Sequence, residues 1–191
     1  MKRVNKGITS GIILQTFVVF ICSYVIFLIL WIQVKDRYGF AITYATSELV
    51  AVLKGVRFEK ISQKKDIVEG TFSRPLPEKR SDVLVDIPVK TSAYTFNVPL
   101  TFSIMAALFR SIKRRGRVYV EALLILLGIH LLYVFSLQYN TLTKIFIDRG
   151  WDAFSTPHLF GSQFLWEFTH SMVIRFEPFL IGFYIFIRYR K

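Results

Sequence analysis

Cysteine occurs once in the 191 residues, at Cys22. An intramolecular disulfide and a cysteine-based zinc site are therefore excluded. The three histidines are too scattered for zinc-ligand spacing. Acid is scarce as well, 13 Asp and Glu against 25 Lys and Arg, for a formal net charge of +12. No glycine-rich phosphate loop, dinucleotide fingerprint or nucleophile elbow is present. Nucleotide-dependent and serine-hydrolase chemistry fall away with them, and no cofactor or metal is implied. Internal repeats and low-complexity segments are also missing.

Apolar and aromatic side chains are abundant: the chain is 53% hydrophobic, with 19 Phe and 9 Tyr. A charge of +12 would ordinarily suggest a nucleic-acid patch. Its placement argues otherwise. Three acid-free clusters (Lys2, Arg3, Lys6; Arg110, Lys113, Arg114, Arg115, Arg117; Arg188, Arg190, Lys191) each abut an apolar segment. Basic residues gather in this way on the cytoplasmic side of membrane helices. The charge is an orientation signal, the lipid bilayer is the expected partner, and nucleic acid is not.

The spacing predicts a single membrane domain over residues 1–191 with four transmembrane helices. The first, residues 9–34, exceeds the roughly 20 residues needed to cross hydrocarbon. It lacks a signal-peptide cleavage site and should stay as an anchor. Residues 35–95 form an insert on the far side. In it Ile42, Ala45, Leu49, Val52, Leu53 and Val56 recur at helical spacing, with Thr43 and Ser47 elsewhere, which predicts an amphipathic helix. The period then changes. "KDIVEGTFS" and "DVLVDIPV" alternate as strands do, predicting a hairpin or small sheet.

A second span at residues 96–114 is short, and a third covers residues 118–138. Residues 139–156 read as a polar loop, in which Leu142, Ile145 and Phe146 form a short interfacial helix. A long last helix at residues 157–189 should bend at Pro178. All basic clusters then fall on one side, with both termini inside.

Charged residues within those spans raise the functional question. At 1.5 Å per residue, His130 lies about 18 Å, Glu177 about 17 Å and Arg175 about 20 Å from the cytoplasmic ends of their helices. These three are expected to form one intramembrane polar layer, with His130 facing Glu177. Arg175 points elsewhere, toward Gln15, Ser23 or a carbonyl freed near Pro178. Gln138, Glu167 and His170 share the outer rim, and Glu121 lies level with Arg188. Such a layer is either a site for a lipid-linked substrate, a peptide helix or a proton, or a network that fixes helix register and contacts a partner. "EFTH", Glu167 to His170, is a single Glu-x-x-His unit where di-iron bundles need two. Cys22, in an apolar run, reads as inert packing. Nothing here marks a catalytic residue.

The segments "DIPVKTSAYTFNVPLTFSIMAALF", "LLILLGIHLLYVFSLQ" and "EPFLIGFYIFIRYRK" resemble the exosortase H-associated membrane proteins of Gram-negative bacteria. The residues carrying the likeness are Tyr94, Asn97, Pro99, Leu100, Gln138, Pro178 and Arg188. The family consists of small multi-spanning proteins encoded beside an exosortase, a transpeptidase-like membrane enzyme that processes C-terminal sorting helices. The resemblance implies an inner-membrane location, a periplasmic insert, and an exosortase or another membrane subunit as partner. The exosortase catalytic set, a Cys with two distant basic residues, is absent, which implies an accessory role. Two other classes remain: a transport or proton-coupled subunit using His130, Arg175 and Glu177, and a membrane enzyme acting on a lipid-linked substrate through Glu167 and His170.

Overall fold

The computed structural model describes residues 10–75, 82–109, 115–151 and 156–190. It is built on long helices with a small sheet packed against one end of them. The first, α1 (Ser10–Lys54), runs unbroken for 45 residues, about 67 Å. The expected first span and amphipathic helix are thus one element. Nothing between them stops a helix: no proline occurs, and Gly39 keeps helical geometry. Its missing side chain has a use, because a Cβ there would come within 2.3 Å of the Thr91 side chain.

The outer half of α1 buries a different face from the one its apolar spacing predicts. Ile42, Thr43, Thr46, Ser47, Val50 and Ala51 are buried, whereas Leu49, Val52 and Leu53 are exposed, Val52 to 77%. Size explains the reversal. Small side chains let the sheet approach closely, so that a Cβ added to Gly70 would lie 2.8 Å from the Ser47 hydroxyl. Larger apolar residues are turned outward.

Three strands follow: β1 (Arg57–Lys64), β2 (Ile67–Arg74) and β3 (Val83–Lys90), antiparallel in the order β1-β2-β3. The alternation expected in β3 holds, with Val85, Ile87 and Val89 buried and Leu84, Asp86 and Pro88 exposed. Val85, Ile87 and Phe72 form a core with Val50, Ala51 and Val56 of the α1 side and with Leu142 and Phe146. The last two lie on α4 (Arg115–Asp148), which runs for 34 residues. Residues 139–148 are therefore helix and not the expected loop. Leu142 and Phe146 anchor them to the sheet, and the turn comes at Gly150, with φ 68°.

Between sheet and α4 lie α2 (Ser92–Thr95) and α3 (Asn97–Leu108). At 12 residues α3 rises about 18 Å. It shares a core with two long helices: Val98 and Met105 pack with Val118, Ala122 and Leu126 of α4 and with Ile181 and Ile185. The latter pair belong to the final helical run: α5 (Thr156–Phe168), a π-helical turn at Thr169–Val173, and α6 (Ile174–Tyr189). Among the described residues, three helices are long and apolar enough to cross a membrane, in the ranges Gly11–Lys54, Gly116–Asp148 and Thr156–Tyr189.

The β1–β2 hairpin tip is clasped to the helices. Lys64 pairs with Ile67 across a two-residue loop, in which Lys65 takes the left-handed φ of 55°. Asp66 Oδ1 accepts hydrogen bonds from the Ser92 amide at 3.1 Å and the Lys35 ammonium at 3.4 Å. Its Oδ2 accepts from the Ser92 hydroxyl at 2.5 Å. Burial raises the Asp66 pKa, but the Ser92 hydroxyl, the Lys35 charge and the Ser92 amide together bring it below the usual value.

Two outcomes follow for thermal unfolding in detergent. Gly39→Ala should lose about 1–3 kcal/mol through overpacking, and adding Thr91→Ala should recover part of it, since the clash is between those two residues. Because its folded-state pKa is depressed, Asp66 contributes stability above its unfolded value near 3.8 and loses it as pH falls through the folded one. Asp66→Asn should accordingly lower Tm at pH 7 and flatten the loss of Tm in acid.

Candidate functional site

A proline inside a helix removes one backbone donor, leaving the carbonyl four residues earlier without its partner. Pro178 does this to Ile174 within α6. The Asn97 side chain supplies what is missing. Its Nδ2 donates to the Ile174 carbonyl at 2.6 Å and to Glu177 Oε2 at 2.8 Å. The two hydrogens of one amide thus fix the start of α3 against the first turn of α6. The sequence reading had offered that freed carbonyl to Arg175.

Glu177 continues the network on its other oxygen. Oε1 lies 3.4 Å from His130 Nε2, within ion-pair range but longer than a well-formed hydrogen bond. Both side chains are fully buried. The other imidazole nitrogen, Nδ1, is 2.8 Å from the Tyr38 hydroxyl of α1. Tyr94 closes the ring from α2, edge-on to His130 at 5.2 Å between centroids and 5.3 Å from Tyr133. Four elements therefore meet at one polar cluster: half-buried Tyr38 from α1 and fully buried Asn97 from α3, His130 from α4 and Glu177 from α6.

The cluster sits directly beneath the sheet. Val89 of β3 shares a buried core with Ile42, Tyr94, Tyr133, Val134 and Ile174. Asn97 follows Ser92 by five residues, about 8 Å of helix below the Asp66 clasp.

At this point comparison with known proteins gives a family. The family model for exosortase H-associated membrane proteins matches residues 11–186. The chain belongs to that family. No curated protein and no solved structure matches it. Of the positions that carried the resemblance in sequence, Tyr94, Asn97, Pro99, Gln138 and Pro178 are all buried. Gln138 donates through Nε2 to the Ser47 hydroxyl at 2.8 Å, tying α4 to α1 beside Gly70. In this exosortase H-associated protein, then, two of the family-like positions, Asn97 and Gln138, join helices by hydrogen bonds, whereas Leu100 is half-buried and Arg188 exposed.

Other expected site residues separate. Arg175 is exposed on the outer side of α6 and has no hydrogen-bond or ion-pair partner among the described residues. Two positions along a helix lie on different faces, so burying Glu177 turns Arg175 out. The rim group does not assemble. Gln138 is taken by Ser47, Glu167 is exposed, and His170 stacks on Trp166 at 4.7 Å with Tyr133 beside it. At the other end Glu121 does meet Arg188, with Nη1 to Oε1 at 2.5 Å. Arg110, Lys113 and Arg114 lie outside the described residues, Arg115 opens α4, and Arg117 is exposed on it. Cys22 is exposed on α1 and not packed.

Tyr38 and the π-helical turn were not foreseen. Tyr38 reads as an interfacial aromatic, and only the height of His130 on a neighbouring helix could have drawn it inward. The π turn donates the Ile174 amide to the Thr169 carbonyl, five residues back. That extra residue lets both Thr169 and Ile174 be buried along one helix line.

Asn97→Leu should lower unfolding stability in detergent by about 2–4 kcal/mol, because it leaves a buried carbonyl and carboxylate unpaired. Adding Pro178→Ala restores the backbone donor to Ile174 and should recover about 1 kcal/mol of the loss. A double variant no better than Asn97→Leu alone would show that the carbonyl is not what Asn97 serves.

Proposed function

We propose that this chain is a non-catalytic accessory membrane protein, assisting an exosortase-type sorting system in the bacterial inner membrane. The observation supporting it most is the state of the intramembrane polar residues. His130 and Glu177 are fully buried and their neighbours Asn97 and Tyr38 are used to join helices. A proton carrier or substrate site needs groups that water or ligand can reach, and the His130 and Glu177 side chains have no exposed surface. Family membership supplies the partner class.

The topology proposed is four crossings, N- and C-termini inside, with α3 as the short second crossing. Its support is the core that α3 shares with α4 and α6. The sheet is the periplasmic part, since β1 presents mostly exposed residues and an open strand edge cannot face hydrocarbon. In this reading the outer membrane boundary lies no higher than the hairpin tip, with the His130–Glu177 cluster just under that surface.

Detergent-solubilised, tagged protein should co-purify with the exosortase expressed from the same genome, and deleting the chain should reduce processing of C-terminal sorting helices. A chain that purifies alone, leaves processing unchanged on deletion, and shows turnover of its own would overturn the accessory role.

A further inference from the structure

At the end of the bundle opposite the sheet, a cavity of about 630 Å³ opens between α4 and α6, lined by Arg117, Val120, Glu121, Leu124, Arg188, Tyr189 and Arg190. Three arginines and one carboxylate line it. That carboxylate is already occupied. Glu121 Oε1 accepts from Arg188 Nη1 at 2.5 Å and from the Tyr184 hydroxyl at 2.8 Å, while Oε2 accepts from the Tyr189 hydroxyl. Glu121 therefore serves to hold Arg188 and Tyr189 in place. Arg117 and Arg190 are left with no hydrogen-bond or ion-pair partner among the described residues, and both are exposed. The local balance is two positive charges in excess.

Beneath this basic mouth the lining changes character. Val120 and Leu124, one helical turn apart on α4, are 58% and 62% exposed and continue the wall toward the bilayer interior. A phosphate fits the upper part, because guanidinium groups recognise it through paired N–H donors. An acyl chain fits the lower part. Free phosphate would use only the first of these features, and a zwitterionic lipid would gain little from the excess charge.

We propose that this cavity binds an anionic glycerophospholipid of the cytoplasmic leaflet, its phosphate between Arg117 and Arg190 and one acyl chain along Val120 and Leu124. Basic pockets between helices at a cytoplasmic interface suit such headgroups. Arg188, locked by Glu121, shapes the site and is a positioning residue.

The test is native mass spectrometry and lipid exchange on the full chain, comparing phosphatidylglycerol with phosphatidylcholine of the same acyl composition. Wild-type protein should retain the anionic lipid at least tenfold better. Arg117→Ala with Arg190→Ala should reduce that preference to within about twofold without changing Tm, since both side chains are exposed, and Arg37→Ala near the sheet should leave it intact. Excess inorganic phosphate should not displace the lipid. Equal retention of the two lipids would overturn the proposal, as would an unchanged preference in the double variant. Complete displacement by inorganic phosphate would replace it with a free-anion site. The readout is independent of exosortase.

Discussion

The side-chain amide of Asn97 bridging the Ile174 carbonyl and Glu177 is the constraint on which the bundle depends. Pro178 creates a vacancy in the α6 backbone ladder that lipid cannot fill, because hydrocarbon offers no donor. Filling it from α3 converts a local defect into a tie between two elements that are far apart in sequence. The same amide holds Glu177 where His130 of α4 can meet it, and His130 in turn is met by Tyr38 of α1. One proline thus sets the relative heights of four helical elements. The short α3 packs through Val98 and Met105, and the directional contact of Asn97 adds a fixed height to that packing.

On both sides of this layer the structure favours closeness over apolar area. Gly39 against Thr91, Gly70 against Ser47, and Gly182 against Ile104 are three places where a single added Cβ would collide. The first two seat the sheet on α1 and the third seats α6 on α3. Small polar residues are cheap to bury here, because their hydroxyls can bond the preceding helical turn, as Thr46 does to the Ile42 carbonyl at 2.9 Å. Larger side chains on the same helix are displaced outward. This explains why Val52 and Leu53 are exposed while Thr46 and Ser47 are buried.

Much of this architecture is legible from residue types. The long apolar runs, the β alternation of residues 83–89, and the shared heights of His130 with Glu177 and of Glu121 with Arg188 follow from counting residues along the chain. The failures share a cause. Continuation of α4 through Leu142 and Phe146 depends on a sheet core contributed by distant strands. The buried face of α1 depends on the same sheet. Neither the outward turn of Arg175 nor the dispersal of Gln138, Glu167 and His170 can be read from matching heights, because height says nothing about azimuth. The π-helical turn shifts azimuth once more, between Thr169 and Ile174.

A buried carboxylate and imidazole are costly to take out of water, and a well-packed apolar pair of the same volume would often be as stable. What an apolar pair lacks is direction. In a membrane the hydrophobic drive between helices is weak, since lipid tails are as apolar as leucine. Sliding one helix past another by a turn would then cost little if packing alone opposed it. With Asn97 aimed at Glu177 and the freed carbonyl, and Tyr38 aimed at His130, a one-turn slip would leave several buried polar groups unpaired together. The polar cluster therefore limits the bundle to one register, and that register carries the sheet to a fixed height at one end and the Arg117–Arg188–Arg190 cavity to a fixed height at the other.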